Sequence, residues 1–278
     1  MNVGLLDGFA FGIYLQYIIP VVTIFIYFTT LYFIAEKKKN YSIVDIGWGA
    51  GFVLVAIVSG IWNFFLTGTL TLTAIFIMIV TAIWGIRLSS HIYKRNHGKP
   101  EDFRYVAMRE RYAKMKYPKF AAYLRIFVTQ ALFMFIVSLP ITIGIARPIL
   151  QSALLSYVLL GFGALIWIIG FIFESVGDAQ LAKFIKNPAN KGKIMDQGLW
   201  RYTRHPNYFG ESAMCFGVGI AASSVSFGFI GLISPIVITY LLVFVSGVPL
   251  LEKAMMERPG FAEYAGKTSV FIPWFPKK

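Results

Sequence analysis

IGWGAGFVLVAIVSGIWNFFLTGTLTLTAIFIMIVTAIWGI, residues 46–86, runs for 41 residues without a charge. One membrane-spanning helix needs only about 20 apolar residues, so this stretch is long enough for two. A breaker, Thr67-Gly68-Thr69, lies in its middle and marks a tight turn between two helices. Four more charge-free runs repeat the pattern: Gly8–Ala35, Ile126–Ala146, Pro148–Phe173 and Ser212–Leu251. The last is again of double length and is broken at Ser223-Ser224-Val225-Ser226. Seven helices follow, at about 9–35, 43–66, 69–93, 121–145, 151–175, 207–223 and 227–250. The spacing predicts an all-α, polytopic membrane protein built as a seven-transmembrane-helix bundle.

Composition agrees. With 57% apolar and only 14% charged residues, the chain is too hydrophobic for a soluble protein of 278 residues. No small-residue cleavage site follows the first apolar run, which is therefore expected to stay as an anchor. No internal repeat, low-complexity tract or long linker divides the chain, so a single domain, 1–278, is the economical reading.

A net charge of +13 suggests nucleic acid until its distribution is examined. Of the 26 Lys and Arg residues, 25 lie in four segments, Lys37–Lys39, Arg87–Arg125, Lys183–Arg204 and Lys253–Lys278; Arg147 stands apart. All four segments fall on one side of a seven-span topology. The positive-inside rule makes that side cytoplasmic, with the N-terminus outside and the C-terminus inside. The expected partners are membrane lipids and a hydrophobic small molecule, and not nucleic acid. Within Arg87–Arg125, Tyr105, Met108, Tyr112 and Met115 recur at helical spacing among basic residues, as in an amphipathic helix on the inner leaflet. Its sharper reading turns Arg104 or Arg111 inward to a ligand phosphate.

Gly198-Leu-Trp-Arg-Tyr-Thr-Arg-His-Pro-Asn-Tyr-Phe-Gly-Glu211 crowds basic, aromatic, amide and carboxylate groups at the entry of a membrane helix. Arg201, Arg204 and His205 offer donors for phosphate or carboxylate, Tyr202 and Tyr208 offer flat faces for a ring, and Pro206 favours a helix start. Asn207 and Glu211, four apart, share a face. Elsewhere, Asp45, Arg87, Glu174 and Asp178 fall at the cytoplasmic ends of their spans. Intramembrane charge is costly enough that such a cluster points to function. The alternative is structural, with Asp45 neutralising Arg87 and Glu211 pairing with Arg201 or Arg204.

Other signals carry less. Gly217-Val-Gly219-Ile-Ala-Ala222 has a dinucleotide-binding spacing but no preceding strand, so it reads as small-residue helix packing, as do Gly47, Gly49 and Gly51. His91, His97 and His205 lack metal-site spacing, and the single Cys215 excludes an intramolecular disulfide.

Several stretches resemble the steroid 5-alpha-reductase superfamily, and within it a bacterial branch known as the DUF1295 family. They are Asp178-Ala-Gln180, Lys186-Asn-Pro188 and Gly198 to Glu211, together with Ser42-Ile-Val-Asp-Ile-Gly-Trp48, Trp84-Gly-Ile-Arg-Leu-Ser89 and Leu251-Glu252 through Phe271-Ile-Pro-Trp-Phe275. The resemblance covers about residues 40–275, with the superfamily's C-terminal region at about 130–278. It implies a seven-helix bundle with a cytoplasm-facing cavity for NADPH, a bacterial inner-membrane location, and reduction of a carbon-carbon double bond in a hydrophobic lipid. It places Asp45 at a family glutamate that meets the substrate carbonyl, and Asn207 and Glu211 near the nicotinamide. Arg87, Asp178 and Glu252 match further cavity residues. Lys183, Lys186, Arg201 and Arg204 are the nearest charge for the pyrophosphate and 2′-phosphate. Trp84 stands where the family has a tyrosine, which leaves Tyr208 or a bound water as the second catalytic group beside Asp45. Isoprenylcysteine carboxyl methyltransferases share the Arg-His-Pro-x-Tyr-x-Gly core and bind S-adenosylmethionine with it, which makes methyl transfer the alternative. A lipid-binding or transport protein without chemistry is the third reading.

Overall fold

The computed structural model describes the backbone of residues 3–277 and the side chains of residues 15–277, so the start of the first expected span, residues 9–14, lies outside the described side chains. The described residues are all-helical. They contain no strand, and a single antiparallel bridge joins Ile149 to Val225. Among the described residues, six helices are long and apolar enough to cross a membrane: Leu15–Lys38, Ile43–Thr67, Leu72–Asn96, Pro118–Val137, Ala153–Lys186 and Gly228–Met255. The protein is thus an integral, multi-pass membrane protein. The expected sixth span is a helix of 17 residues, Pro206–Ala222. That is the lower limit of about 17–25 residues for a span, and it is not among the six.

The elements in order are α1 (Val3–Lys38), α2 (Ile43–Thr67), α3 (Leu72–Asn96), α4 (Phe103–Ala113), α5 (Pro118–Ala122), α6 (Thr129–Val137), α7 (Leu139–Ala146), α8 (Ala153–Lys186), α9 (Pro206–Ala222), α10 (Ile233–Tyr240), α11 (Val248–Met255) and α12 (Phe261–Lys267). The turn between α2 and α3 forms at the expected breaker. Gly68, at φ 70°, closes α2 by donating its N–H to Phe64 O at 2.8 Å, and Thr71 caps α3 by accepting from Ala74 N at 3.1 Å.

Two expected spans differ in form. The span expected at 121–145 is interrupted by a π turn, Tyr123–Val128, after which Thr129 Oγ1 donates to Leu124 O, and by a break at Ser138. Pro140 has no N–H to continue the ladder there, and the Ser138 and Thr142 hydroxyls bond to nearby carbonyls instead. The helix expected to end near residue 175 continues to Lys186, because hydropathy falls there while the helix stop, Asn187-Pro188, comes a dozen residues later.

The backbone forms two compact units. One runs through Ser156 and includes Ala222–Gly231; the other comprises Tyr157–Ala221 and the chain from Leu232 onward. In lipid, apolar side chains gain little by leaving a solvent as apolar as themselves, so close backbone approach matters more. In the first unit, a Cβ on Gly49 would lie 2.3 Å from Gly85 O, and one on Gly85 would lie 2.5 Å from Gly49 O. Ser89 Oγ accepts from Ala50 N across the same crossing. In the second unit, Gly163 and Gly170, seven apart on α8, face Gly217 and Gly210 on α9; a Cβ would meet the facing carbonyl oxygen at 2.5 and 2.6 Å. Gly217 is therefore a packing residue, as its sequence context indicated.

Candidate active site

Each unit carries its own polar cluster. In the first, Asp45 sits in the opening turn of α2, where the helix dipole favours a carboxylate. Its Oδ1 accepts from Tyr105 Oη at 2.5 Å and its Oδ2 from an Arg104 terminal nitrogen at 3.2 Å. Arg104 also grips Asp102 in a bidentate pair, at 3.0 and 3.1 Å. Asp102 caps α4 by accepting from Arg104 N at 2.9 Å. Gln130, two residues past the π turn, donates to Tyr105 Oη at 3.3 Å.

Electrostatics follow from these contacts. Burial and then the Asp45 charge push the Tyr105 phenol well above its ordinary value. Burial alone would raise the Asp102 carboxyl, but hydrogen bonds from Arg104 outweigh it and hold it below the usual range. The Asp102 hydrogen bond in turn raises the Arg104 guanidinium.

Two expectations change here. The cation bonded to Asp45 is Arg104 and not Arg87, and the inward turn of Arg104 meets carboxylates. The Tyr105 and Tyr112 stripe of α4, expected against lipid, is buried in protein, at 5% and 7% exposure. Trp84 is also buried, and its indole N–H has no hydrogen-bond partner among the described residues.

The second cluster is built on the Gly198 to Glu211 stretch. Pro206 opens α9, as the sequence indicated. Before it, Leu199 N donates to Gln180 Oε1 and Trp200 Nε1 to Gly177 O, which ties the loop to the end of α8. Thr203 Oγ1 donates to Phe271 O at 2.8 Å, and Arg204 N to Ser269 O at 2.9 Å, which ties it to the C-terminal strip. The Arg204 side chain, 9% exposed, is spent internally: Nε and one terminal nitrogen hold both Glu252 oxygens at 2.7 and 3.1 Å, and the other terminal nitrogen bonds Ala265 O and Thr268 O. His205 Nε2 lies 3.0 Å from Glu252 Oε1, and its ring stacks on Tyr208, at 5.4 Å and 10°. Burial lowers the His205 imidazole despite Glu252, so the neutral ring with its hydrogen assigned to Nε2 donates to an acid already held by Arg204.

Arg204, His205 and Glu252 therefore form one buried knot, in which Arg204 pairs with Glu252 and not Glu211. Lys183, Lys186 and Arg201 are exposed on neighbouring segments, and Tyr202 is 37% exposed, 6.1 Å from the Phe275 ring. Asp178, Asn207, Tyr208 and Glu211 are half-buried, and Glu174 is buried. The α8 and α9 backbones touch at Glu174 and Gly210 and again at Gly177 and Asn207, which sets the acids of α8 and α9 at one level. Sequence reasoning missed Tyr105 as a partner of Asp45, Gln130 as a partner of Tyr105 and Asp102 as a partner of Arg104. Their one signal was Arg104, already suspected of turning inward on the same helix.

No solved structure matches the chain. A 69-residue stretch is 35% identical to a probable O-methyltransferase, ustE, of Ustilaginoidea virens, over 25% of this chain and 24% of the relative, so the chain spans about a quarter of that relative's length. The family model described as a protein of unknown function, DUF1295, matches residues 31–268. With that match over most of its length, the chain belongs to the DUF1295 family.

Proposed function

We propose that the protein is an integral-membrane, NADPH-dependent reductase of the steroid 5-alpha-reductase superfamily, acting on a carbon-carbon double bond of a hydrophobic lipid or steroid-like substrate. The observation that carries this reading is the hydrogen bond between Tyr105 and Asp45, because it supplies from α4 the phenol that Trp84 replaces on α3. A double bond conjugated to a carbonyl is reduced more easily when a donor takes up the developing enolate charge. Tyr105 Oη is that donor when the substrate oxygen replaces Asp45 Oδ1 as the acceptor of its single proton. Burial and Asp45 keep its proton in place, so it stabilises the oxyanion by hydrogen bonding rather than by losing the proton outright. Arg104 and Gln130 position the pair.

The second unit fits a phosphorylated cofactor. Lys183, Lys186 and Arg201 are exposed cations close to a loop held on α8, while Asn207 and Glu211 are assigned to the nicotinamide end and Asp178 to the same cofactor. NADPH, when bound, would supply the hydride, and solvent water would supply the proton that converts the resulting enolate to the saturated product. Arg204, His205 and Glu252 become the frame of this site rather than its phosphate contacts, and Tyr208, stacked on His205, belongs to that frame. The reading counts α9 as a seventh span and puts the cofactor cavity on the cytoplasmic side of a bacterial inner membrane, with the N-terminus outside and the C-terminus inside.

A second reading is S-adenosylmethionine-dependent methyl transfer, favoured by the partial likeness to a probable O-methyltransferase. Paired variants test the first reading. Glu211→Gln should weaken NADPH binding, whereas Asp45→Asn should leave it unchanged, with both proteins folded. Equal affinity in Glu211→Gln and wild type would contradict the assignment.

A further inference from the structure

At the other end of the first unit, away from Asp45, lies Arg147, the lysine-or-arginine position outside the four basic segments. It follows α7 directly, and its guanidinium lies 5.4 Å from the Tyr17 ring centroid and 5.6 Å from that of Phe227. No carboxylate among the described residues pairs with it. Close by, the Tyr17 hydroxyl is buried without a hydrogen-bond partner among the described residues, the kind of orphan that marks an oxygen a site lacks. The mounting is rigid. Leu150 N donates to Ser224 O and Ser226 N to Pro148 O around the Ile149 and Val225 bridge. Ser224 O also accepts from Ser156 Oγ, while Ser224 Oγ bonds Thr73 Oγ1 at 2.7 Å. Phe227 keeps its place over the guanidinium at φ 60°, a left-handed conformation that is strained for a non-glycine residue.

A cation within about 6 Å of two ring centroids, on loops zipped together by backbone hydrogen bonds, is built to hold an anion with several acceptor oxygens. The flanking apolar residues Ile149, Phe227 and Phe229 are 44%, 59% and 63% exposed, which suits acyl chains and not a free ion. We propose that Arg147, with Tyr17 and Phe227, forms a binding site for the phosphate of a phospholipid headgroup at the membrane surface opposite the basic loops.

Lipid retention by native mass spectrometry, together with the melting temperature of the full chain in detergent, tests this. The probes are phosphatidylglycerol, a diacylglycerol with the same chains, and inorganic phosphate. Wild type should retain phosphatidylglycerol and melt higher with it, and should not respond to the other two. Arg147→Gln should bind it about tenfold more weakly, the scale of one charge-assisted hydrogen bond. Arg147→Lys, which keeps the charge and the fold but not the planar stack, should fall between. Equal retention in wild type and both variants would overturn the site. An equal response to diacylglycerol, or to inorganic phosphate alone, would overturn the lipid-phosphate assignment.

Discussion

Tyr105 on α4 and Asp45 on α2, 60 residues apart in sequence, share a hydrogen bond of 2.5 Å, and Gln130 donates to the same phenol. Removing the hydroxyl alone leaves Asp45 its bond to Arg104. Tyr105→Phe should therefore cost only about 1 kcal/mol of stability. It should also lower NADPH oxidation on an active lipid extract by roughly 10²–10³, the usual cost of one oxyanion donor. An unchanged rate would return the role to Tyr208 or water.

Arg204→Ala would leave the half-buried Glu252 carboxylate with His205 as its partner and take the donor from the Ala265 and Thr268 carbonyls, at a cost of about 3 kcal/mol. Glu252→Gln keeps the shape and should cost less. Thermal unfolding of both single variants and the double variant gives the coupling energy. A value near zero would show that the knot does not hold the loop.

Gly170 and Gly161 lie nine residues apart on α8 but face different surroundings. A Cβ on Gly170 would meet Gly210 O and Met214 N at 2.6 Å, while one on Gly161 has nothing within 4 Å. Gly170→Ala should lower stability by about 1–3 kcal/mol through overpacking, and Gly161→Ala should leave it unchanged or raise it. Melting curves for the two variants decide the point.

His205 gives a pH signature of definite sign. Its folded value lies below the ordinary 6.5, so as pH falls through 6.5 the unfolded chain takes up a proton first and the folded state loses stability. The loss continues down to the folded value and is absent above about pH 7.5. The unfolding free energy from denaturant titration should therefore fall, as pH drops below about 7.5, more steeply in wild type than in His205→Gln, by up to about 1 kcal/mol per pH unit.

Local signals read well. Gly68 at the α2–α3 turn, Pro206 at the start of α9 and the close packing of Gly49 and Gly217 were each visible in their neighbours, because turns, helix starts and small-residue contacts are short-range. What stayed hidden depended on distant partners. Arg204 looked like a ligand-binding cation because its acid, Glu252, lies 48 residues away. Tyr105 looked like a lipid anchor because Asp45 lies 60 residues before it. The π turns at Tyr123–Val128 and Leu241–Val245 have no residue signature, yet each lies on the segment leading to Gln130 or Glu252.

The central claim is that this protein binds NADPH. Calorimetric titration of the purified protein in lipid nanodiscs with NADPH, NADH and S-adenosylmethionine tests it most directly. The exposed cations Lys183, Lys186 and Arg201 predict tightest binding of NADPH, with weaker binding of NADH for want of the 2′-phosphate. Binding of S-adenosylmethionine with no response to NADPH would contradict the reductase reading and favour methyl transfer in its place.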